Sequence, residues 1–179
     1  FVTPLRIFVI HSELGETMNA TPNPEIGQTS IAHGSTTTYH DIGNGSPVLL
    51  IHGSGPGVTG WANWRMTLPE LAKYHRALAP DMVGFGYTER PTGIEYNFNT
   101  WINHAIGFLD ALGLEQVDLI GNSFGGGLSL ALAIRYPERI RRLVLMGAVG
   151  VHFTLTPGLD AVWGYEPSVE NMRRQKSAK

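Results

Sequence analysis

Short apolar blocks and helically spaced blocks alternate along this chain of 179 residues. The continuous apolar run at residues 48–51 predicts a strand buried on both faces, and the run at 117–120 predicts a buried strand. Two further short strands are predicted at 76–79 and 142–146. A β-rich run at 36–41 precedes them and ends at the turn signal Gly43-Asn44-Gly45. Because strands and helices alternate, the pattern predicts an α/β fold with a mainly parallel sheet and flanking helices.

Three segments carry apolar residues at helical spacing. The first is 61–71, where Pro69 lies near an irregular end, and the second begins at the capping pair Asn99-Thr100 and stops at Gly113. The third, 125–134, is apolar almost all round, which predicts a central and buried helix. Residues 18–35 are predicted to be an irregular lead-in, because prolines and a glycine interrupt them.

Composition narrows the function classes. The chain is long enough for one domain with a real core, and its net charge of −2 gives no sign of a nucleic-acid partner. The absence of cysteine excludes disulfides, thiolate catalysis and cysteine-based metal sites. Because no apolar run approaches the length of a membrane span, we expect no membrane partner and a cytoplasmic location.

The clearest candidate chemistry lies at Ser123, in the run Gly121-Asn122-Ser123-Phe124-Gly125. This G-x-S-x-G pattern follows a predicted strand and opens a predicted helix, which is the context of the nucleophile elbow, a strained turn that exposes a reactive serine. The flanking glycines leave room for the turn, and the Phe124 N–H points at the position of an oxyanion. The alternative is a Gly/Ser loop that caps a helix.

A second glycine-rich loop, His52-Gly53-Ser54-Gly55, follows the predicted strand at 48–51. Such loops bring backbone amides close to a ligand, and we predict that the Ser54 N–H is the second oxyanion donor. The alternative is a glycine-rich turn without a donor role. Neither loop has the pattern of a phosphate-binding motif, so nucleotide binding is a poor fit.

A serine nucleophile needs a base and an acid, and both follow the serine in the chain order typical of this elbow. The only later histidine, His152, follows the last predicted strand closely and is interpreted as a loop or lid residue. His52 is predicted to be structural, and His104 to lie on the solvent side of its helix. Asp81 precedes the serine and is interpreted as a turn or capping residue. The base and the acid are therefore missing from this chain.

Two asparagines lie near the two glycine-rich loops. Asn63, in the first helical segment, and Asn122, beside the serine, could each hydrogen-bond a polar substrate. The alternative, which is stronger for Asn63, is helix capping or a satisfied structural contact.

A set of longer motifs carries a family resemblance. They are IHGSGPG at 51–57, WANW at 61–64, DMVGFG at 81–86 and GNSFGGG at 121–127, followed by YPERI at 136–140 and VLMGA at 144–148. In this order they resemble the meta-cleavage product hydrolases of bacterial aromatic degradation, α/β-hydrolases that include the 2-hydroxymuconic semialdehyde hydrolases. The resemblance covers residues 36 to about 172.

The resemblance implies how the chain is organised. Residues 36–148 would be the N-terminal part of an α/β-hydrolase core, and 149–179 the start of a helical lid, with the rest of the lid and the last strands outside the chain. Residues 1–17 are interpreted as a non-native or disordered leader, because Phe1 stands first and Met18 offers a natural start. The chain is thus expected to be an N-terminal fragment.

The resemblance also implies an activity, the hydrolysis of a carbon–carbon bond in a 2-hydroxy-6-oxo-dienoate without cofactor or metal. Ser123 would be the nucleophile, and the Ser54 and Phe124 amides would form the oxyanion hole. Gly53, Asn63 and Asn122 match polar substrate-binding positions. The implied partner is a small-molecule dienoate, with no nucleic acid and no membrane, and a homo-oligomer is left open.

Two alternatives stay open at this point. A carboxylesterase of the same fold uses the same serine and the same loops. A non-catalytic ligand-binding relative, or an inert fragment, needs no nucleophile, and the intact elbow motif argues against a decayed relative. If the chain is a fragment, we expect it to be poorly soluble and without turnover, because an apolar strand edge is exposed and the base is missing.

Overall fold

A six-stranded sheet forms the centre of the computed structural model, which describes residues 23–151. Its strands are β1 (Gln28–Ala32), β2 (Ser35–Ile42), β3 (Pro47–Ile51), β4 (Arg76–Pro80), β5 (Val117–Asn122) and β6 (Ile140–Met146). Its helices are α1 (Gly60–Trp64), α2 (Leu68–Leu71), α3 (Phe98–Ala111) and α4 (Phe124–Arg135), with a 3₁₀ turn at Pro137–Arg139. No helix in this part of the chain is long and apolar enough to cross a membrane.

The order of the strands in the sheet is β1-β2-β4-β3-β5-β6. β2 pairs antiparallel with β1 and β4, whereas the β3–β4, β3–β5 and β5–β6 pairs are parallel. The predicted α/β fold with a mainly parallel sheet is confirmed. The carboxyl ends of parallel strands meet at one edge of a sheet, so the loops after β3, β4 and β5 are neighbours, and ligands bind in such places.

The two faces of the sheet bury separate apolar clusters. On one face, α3 and α4 pack over Leu49 of β3 and Leu119 of β5. On the other face, Trp64 of α1 and Leu68 of α2 pack over Leu50. Successive residues of β3 therefore point into different clusters, as expected for a central strand covered on both sides.

Three helix predictions need correction. The predicted helix 61–71 is two short helices, because proline is accepted only in the first turn of a helix and Pro69 lies in the first turn of α2. α3 begins earlier than Asn99-Thr100, since the Asn97 side chain caps it by accepting the Thr100 N–H at 3.1 Å. α4 is not buried all round, because it covers the sheet with one side only and leaves Ile134 71% exposed.

The lead-in predicted to be irregular contains a strand. β1 has a polar sequence in which only Ala32 is buried, so hydrophobic periodicity gives no signal for it. Its partner strand defines it instead: β1 and β2 form a hairpin through His33 and Gly34, whose φ angles are 47° and 79°. Two consecutive positive φ angles give the tight turn that matches the twist of a hairpin.

His104 corrects another prediction, because it is buried rather than on the solvent side of α3. Its Nδ1 accepts the Val83 N–H at 3.4 Å, so its Nε2 carries the proton and donates to Thr37 Oγ1 at 2.7 Å. The ring thereby joins α3 to β2 and to the loop after β4. Burial lowers the pKa of His104 from 6.5 to about 4, and repulsion from His33 and His52 adds to the shift.

This shift predicts a stability that falls in mild acid. His104 takes up a proton at a higher pH in the unfolded chain than in the folded chain. The free energy of unfolding is therefore unaffected by His104 above about pH 6.5, and it decreases as the pH falls from 6.5 towards 4. The loss amounts to about 3 kcal/mol. Urea unfolding of dilute protein at several pH values should show it, and His104→Gln should flatten the pH dependence. An unchanged slope in that variant would contradict the prediction.

β6 is the last strand of the described sheet, and it carries exposed apolar side chains. Val144, Leu145 and Met146 are 50%, 37% and 48% exposed, and an edge of this kind pairs with other chains. We expect the 179-residue chain to self-associate and Val144→Lys to reduce that association. Sedimentation over a concentration series measures it, with Tyr74→Lys, at a position 77% exposed away from β6, as the control. A wild-type chain that stays monomeric would contradict this expectation.

Candidate active site

Ser123 lies at the turn between β5 and α4. Its backbone has φ 54° and ψ −115°, a conformation that strains any residue except glycine. The Ser123 N–H donates to Met146 O at 2.8 Å, and the Ser123 carbonyl accepts the N–H groups of Gly126 and Val149 at 3.0 and 3.1 Å. The predicted strand–turn–helix context is confirmed, whereas the role of Ser123 as a nucleophile stays a prediction.

The glycines of the elbow are required by close packing. A Cβ on Gly121 would overlap the carbonyl oxygen of Gly125. A Cβ on Gly125 would overlap the carbonyl oxygens of Ile51 and His52, at the end of β3. The first turn of α4 therefore rests directly on the backbone of the central strand, and this places Ser123 beside the loop after β3.

The loop after β3 faces the elbow at Gly53. A Cβ built on Gly53 would lie 3.6 Å from the Ser123 Cβ and 3.6 Å from Asn122 Nδ2. Next to it, Ser54 is exposed and lines a cleft of about 460 Å³ between the loops after β3 and β4, although Ser123 does not line that cleft. The structure thus brings Gly53 and Ser123 together, with Ser54 at the outer side of the same loop.

The two candidate oxyanion donors are both available. Within residues 23–151, neither the Ser54 N–H nor the Phe124 N–H has a hydrogen-bond acceptor. Phe124 is also the first residue of α4, a helix of 12 residues, so its amide lies at the positive end of a helix dipole. Both amides are therefore free of acceptors within the described residues, and their role as oxyanion donors stays a prediction.

His52 is structural, as predicted. It is fully buried, its Nε2 accepts the Met82 N–H at 2.9 Å, and its Nδ1 therefore carries the proton and donates to Gly53 O at 2.6 Å. Burial lowers the pKa of His52, and the hydrogen bond to Gly53 and the nearby Asp81 charge oppose the shift. With both nitrogens occupied and the ring neutral, His52 holds the loop and is not free to act as a base.

Asn63 and Asn122 contact each other. Asn63 Oδ1 accepts the Gly53 N–H at 3.0 Å and the Asn122 Nδ2–H at 3.0 Å, so the structural contact weighed for Asn63 is present. The hydrogen bond from Gly53 fixes the orientation of the Asn63 side-chain amide, because the Gly53 N–H is a donor and only the oxygen of that amide can accept it. The groups left for a ligand are Asn63 Nδ2 and Asn122 Oδ1.

Asp81 is a turn residue, as interpreted from the sequence. Its side chain accepts the Gly60 N–H at 2.6 Å and the Tyr87 N–H at 2.8 Å. Burial raises its pKa, while those two backbone hydrogen bonds and the nearby histidines His52 and His40 lower it. The carboxylate therefore connects α1 to the loop after β4.

The described part of the chain brings no base to Ser123. His40 bonds Pro24 O at 3.0 Å and His75 bonds Ser46 Oγ at 3.0 Å, both away from the elbow. No histidine within residues 23–151 has a hydrogen bond to the Ser123 hydroxyl. His152, predicted to be a loop or lid residue, lies outside the described residues.

Sequence reasoning missed an aromatic group around Phe124. The Phe124 ring contacts Trp101, Phe98 and Phe85 at centroid distances of 4.9, 5.8 and 6.1 Å. Trp101 belongs to a segment with apolar residues at helical spacing, and nothing in that spacing distinguishes an ordinary core position from one beside the elbow.

A serine elbow at the carboxyl end of a parallel sheet, facing a glycine-rich loop, is the arrangement typical of the α/β-hydrolase fold. The family model described as the alpha/beta hydrolase fold matches residues 46–175, and the chain belongs to this family. This confirms the fold class that the motifs implied.

Individual relatives narrow the comparison. The chain is 66% identical over 152 residues to a 2-hydroxy-6-oxo-2,4-heptadienoate hydrolase of Pseudomonas putida F1, covering 85% of this chain and 55% of that protein. It is 65% identical over 158 residues to a 2-hydroxymuconate semialdehyde hydrolase of Pseudomonas sp. strain CF600, covering 88% and 56%. The chain therefore spans about half the length of the curated relatives it matches.

Solved structures agree with these relatives. A meta-cleavage product hydrolase from Pseudomonas fluorescens IP01, a serine-to-alanine variant complexed with acetates, is 57% identical with a TM-score of 0.72. The match covers 85% of this chain and 56% of that one. A serine hydrolase involved in carbazole degradation is 36% identical with a TM-score of 0.68, covering 86% and 55%.

Proposed function

We propose that this chain supplies the nucleophile and the oxyanion hole of a serine-dependent hydrolase that cleaves a carbon–carbon bond in a 2-hydroxy-6-oxo-dienoate, a product of meta ring fission. The observation that carries the proposal is the strained elbow at Ser123 with Gly53 of the opposite loop against it. The names of the relatives supply the substrate class.

The proposed reaction uses water to divide the substrate in two. After the dienol ketonises, Ser123 Oγ attacks the carbonyl carbon of the side chain, its proton passes to a base, and the carbonyl electron pair moves to oxygen. The Ser54 and Phe124 amides stabilise that oxyanion, and one such donor is worth about 10²–10³ in rate. Collapse breaks the carbon–carbon bond, and the departing dienoate fragment takes up a proton. Water then hydrolyses the acyl-enzyme to a carboxylic acid.

We propose that Asn63 and Asn122 bind the polar groups of the substrate that lie away from the carbonyl attacked by Ser123. Asn63 Nδ2 is a donor and Asn122 Oδ1 an acceptor that their mutual hydrogen bond leaves unused. These two groups offer one donor and one acceptor to the oxygens of the substrate, whereas the N–H and the carbonyl of Gly53 are already bonded to Asn63 and His52.

The test requires a protein that contains every catalytic group. We define the extended protein as residues 1–179 joined to the part of the P. putida F1 relative that lies outside the matched region. Its turnover of a chromophoric ring-fission dienoate is compared with its turnover of p-nitrophenyl acetate. We expect a clear preference for the dienoate. A preference for the ester would favour the carboxylesterase alternative and contradict the proposal.

The 179-residue chain is assayed beside the extended protein. We expect it to show no measurable turnover, because a serine without a base keeps its free, weak reactivity. Turnover comparable to that of the extended protein would show that His152, or another residue of this chain, serves as the base.

A further inference from the structure

The side chain of Phe124 is enclosed by aromatic rings from two other parts of the chain. Trp101 and Phe98 of α3 meet it nearly edge-on, with interplanar angles of 82° and 81°. Phe85, from the loop after β4, meets it at 37° and also contacts Trp101 at 6.2 Å. Edge-on aromatic contacts favour one relative orientation of the rings, so the enclosure restricts the residue whose amide is a candidate oxyanion donor.

Trp101 is itself attached to the backbone. Its indole N–H donates to Val83 O at 3.0 Å. The preceding residue, Met82, donates its N–H to His52, the residue that holds the Gly53 carbonyl. In a trans peptide the N–H of Ser54 points opposite to the Gly53 carbonyl, so His52 also sets the direction of the Ser54 N–H.

The neighbouring residues Met82 and Val83 are therefore linked to both candidate oxyanion donors through hydrogen bonds to His52 and Trp101. One path runs through His52 to the Ser54 amide, and the other runs through Trp101 to Phe124. A shift of Trp101 would move the Phe124 donor relative to the Ser54 donor without touching Ser123. Oxyanion stabilisation depends on donors held at the correct distance from the developing charge, so such a shift weakens catalysis more than substrate binding.

We propose that Trp101 is a positioning residue for the oxyanion hole, which holds the Phe124 amide in register with the Ser54 amide through its ring contact and its hydrogen bond to Val83. This inference rests on the proposed function, because it needs Ser123 as the nucleophile.

The test compares variants of the extended protein. Trp101→Phe keeps an aromatic ring and removes the hydrogen bond to Val83, and Trp101→Leu removes both contacts. Trp64→Phe is the matched control, since Trp64 is buried on the other face of the sheet and its indole N–H has no partner among the described residues. For each variant we measure kcat, KM and the Kd of a trifluoromethyl ketone, which forms a tetrahedral oxyanion adduct with the serine.

We expect Trp101→Phe to lower kcat about tenfold and Trp101→Leu about a hundredfold. The second decrease is close to the lower end of the decrease in kcat, about 10²–10³, that follows the loss of one whole oxyanion donor. The Kd of the ketone should rise by the same factors, and KM should change less than about twofold. Trp64→Phe should leave all three unchanged. If Trp101→Leu fails to fold, Phe98→Leu, at a position that is 38% exposed, tests the ring contact from the other side with the same expected pattern.

Three results separate the inference from the function on which it rests. If turnover survives Ser123→Ala, both fail, because there is no oxyanion hole built around Ser123. If turnover requires Ser123 but the Trp101 variants behave like Trp64→Phe, the positioning role alone is overturned. A rise in KM with kcat and ketone affinity retained would also overturn it, since that pattern belongs to lost substrate binding.

Discussion

Ser123→Ala is expected to abolish acyl-enzyme formation in the extended protein and to lower kcat by about four to six orders of magnitude. The substitution removes one oxygen and keeps Cβ, so the backbone strain at φ 54° is the same in both proteins. Rapid-quench mass spectrometry measures the acyl-enzyme, and thermal unfolding checks the fold. A residual rate near that of the wild type would reject Ser123 as the nucleophile.

Ser123→Gly is the informative companion of the alanine variant. Both lack the hydroxyl, but only glycine relieves a conformation that costs other residues about 1–3 kcal/mol. The greater freedom of glycine in the unfolded chain offsets about 1 kcal/mol of this gain. We therefore expect the glycine variant to be inactive and more stable than the alanine variant. A lower stability would show that the elbow is not strained.

Gly125→Ala is expected to prevent stable folding. Alanine is the better helix former by about 1 kcal/mol, and this would favour the variant in an open helix. Here the added Cβ would overlap the carbonyl oxygens of Ile51 and His52, and neither can move without displacing the central strand. Overpacking against such a rigid partner costs about 3 kcal/mol or more, so the clash outweighs the helix propensity.

Gly55→Ala is the control for this prediction. A Cβ on Gly55 meets no atom within 4 Å. The free energy of unfolding of this variant should therefore lie within about 0.5 kcal/mol of the wild-type value. Circular dichroism and urea unfolding compare the two. A folded Gly125→Ala protein of wild-type stability would show that α4 does not rest on β3 as described.

The turn at Ser123 and the central strands could be predicted from the sequence, because short-range patterns determine them. The G-x-S-x-G run requires a tight turn between a strand and a helix, and Gly121 is a glycine because a Cβ there would overlap the nearby carbonyl oxygen of Gly125. The steric reason at Gly125 comes from the distant residues Ile51 and His52, and only the motif reveals it in the sequence. The apolar runs of β3, β4 and β5 are signals of the same kind, since a strand covered on both faces must be apolar throughout. These elements were predicted within one or two residues.

Other features depend on partners that lie far away in the sequence. β1 is polar and becomes a strand only because β2 pairs with it. His104 is buried because Thr37 and Val83 satisfy both of its nitrogens, and no helical pattern contains that information. The same holds for Asn63, whose bonds to Gly53 and Asn122 join α1, the loop after β3 and the end of β5.

The pairing of β3 with β5 has a consequence for how the protein folds. Val48 lies opposite Asp118 and Ile51 opposite Gly121, so this contact closes a loop of about seventy residues. Closing a long loop costs entropy before any contact compensates for it, and such contacts form slowly. The β1–β2 hairpin can form early, whereas Gly53 and Ser123 meet only once the two central strands have joined. A chain emerging during synthesis therefore cannot bring Ser123 against Gly53 until β5 and the first turn of α4 have packed against β3.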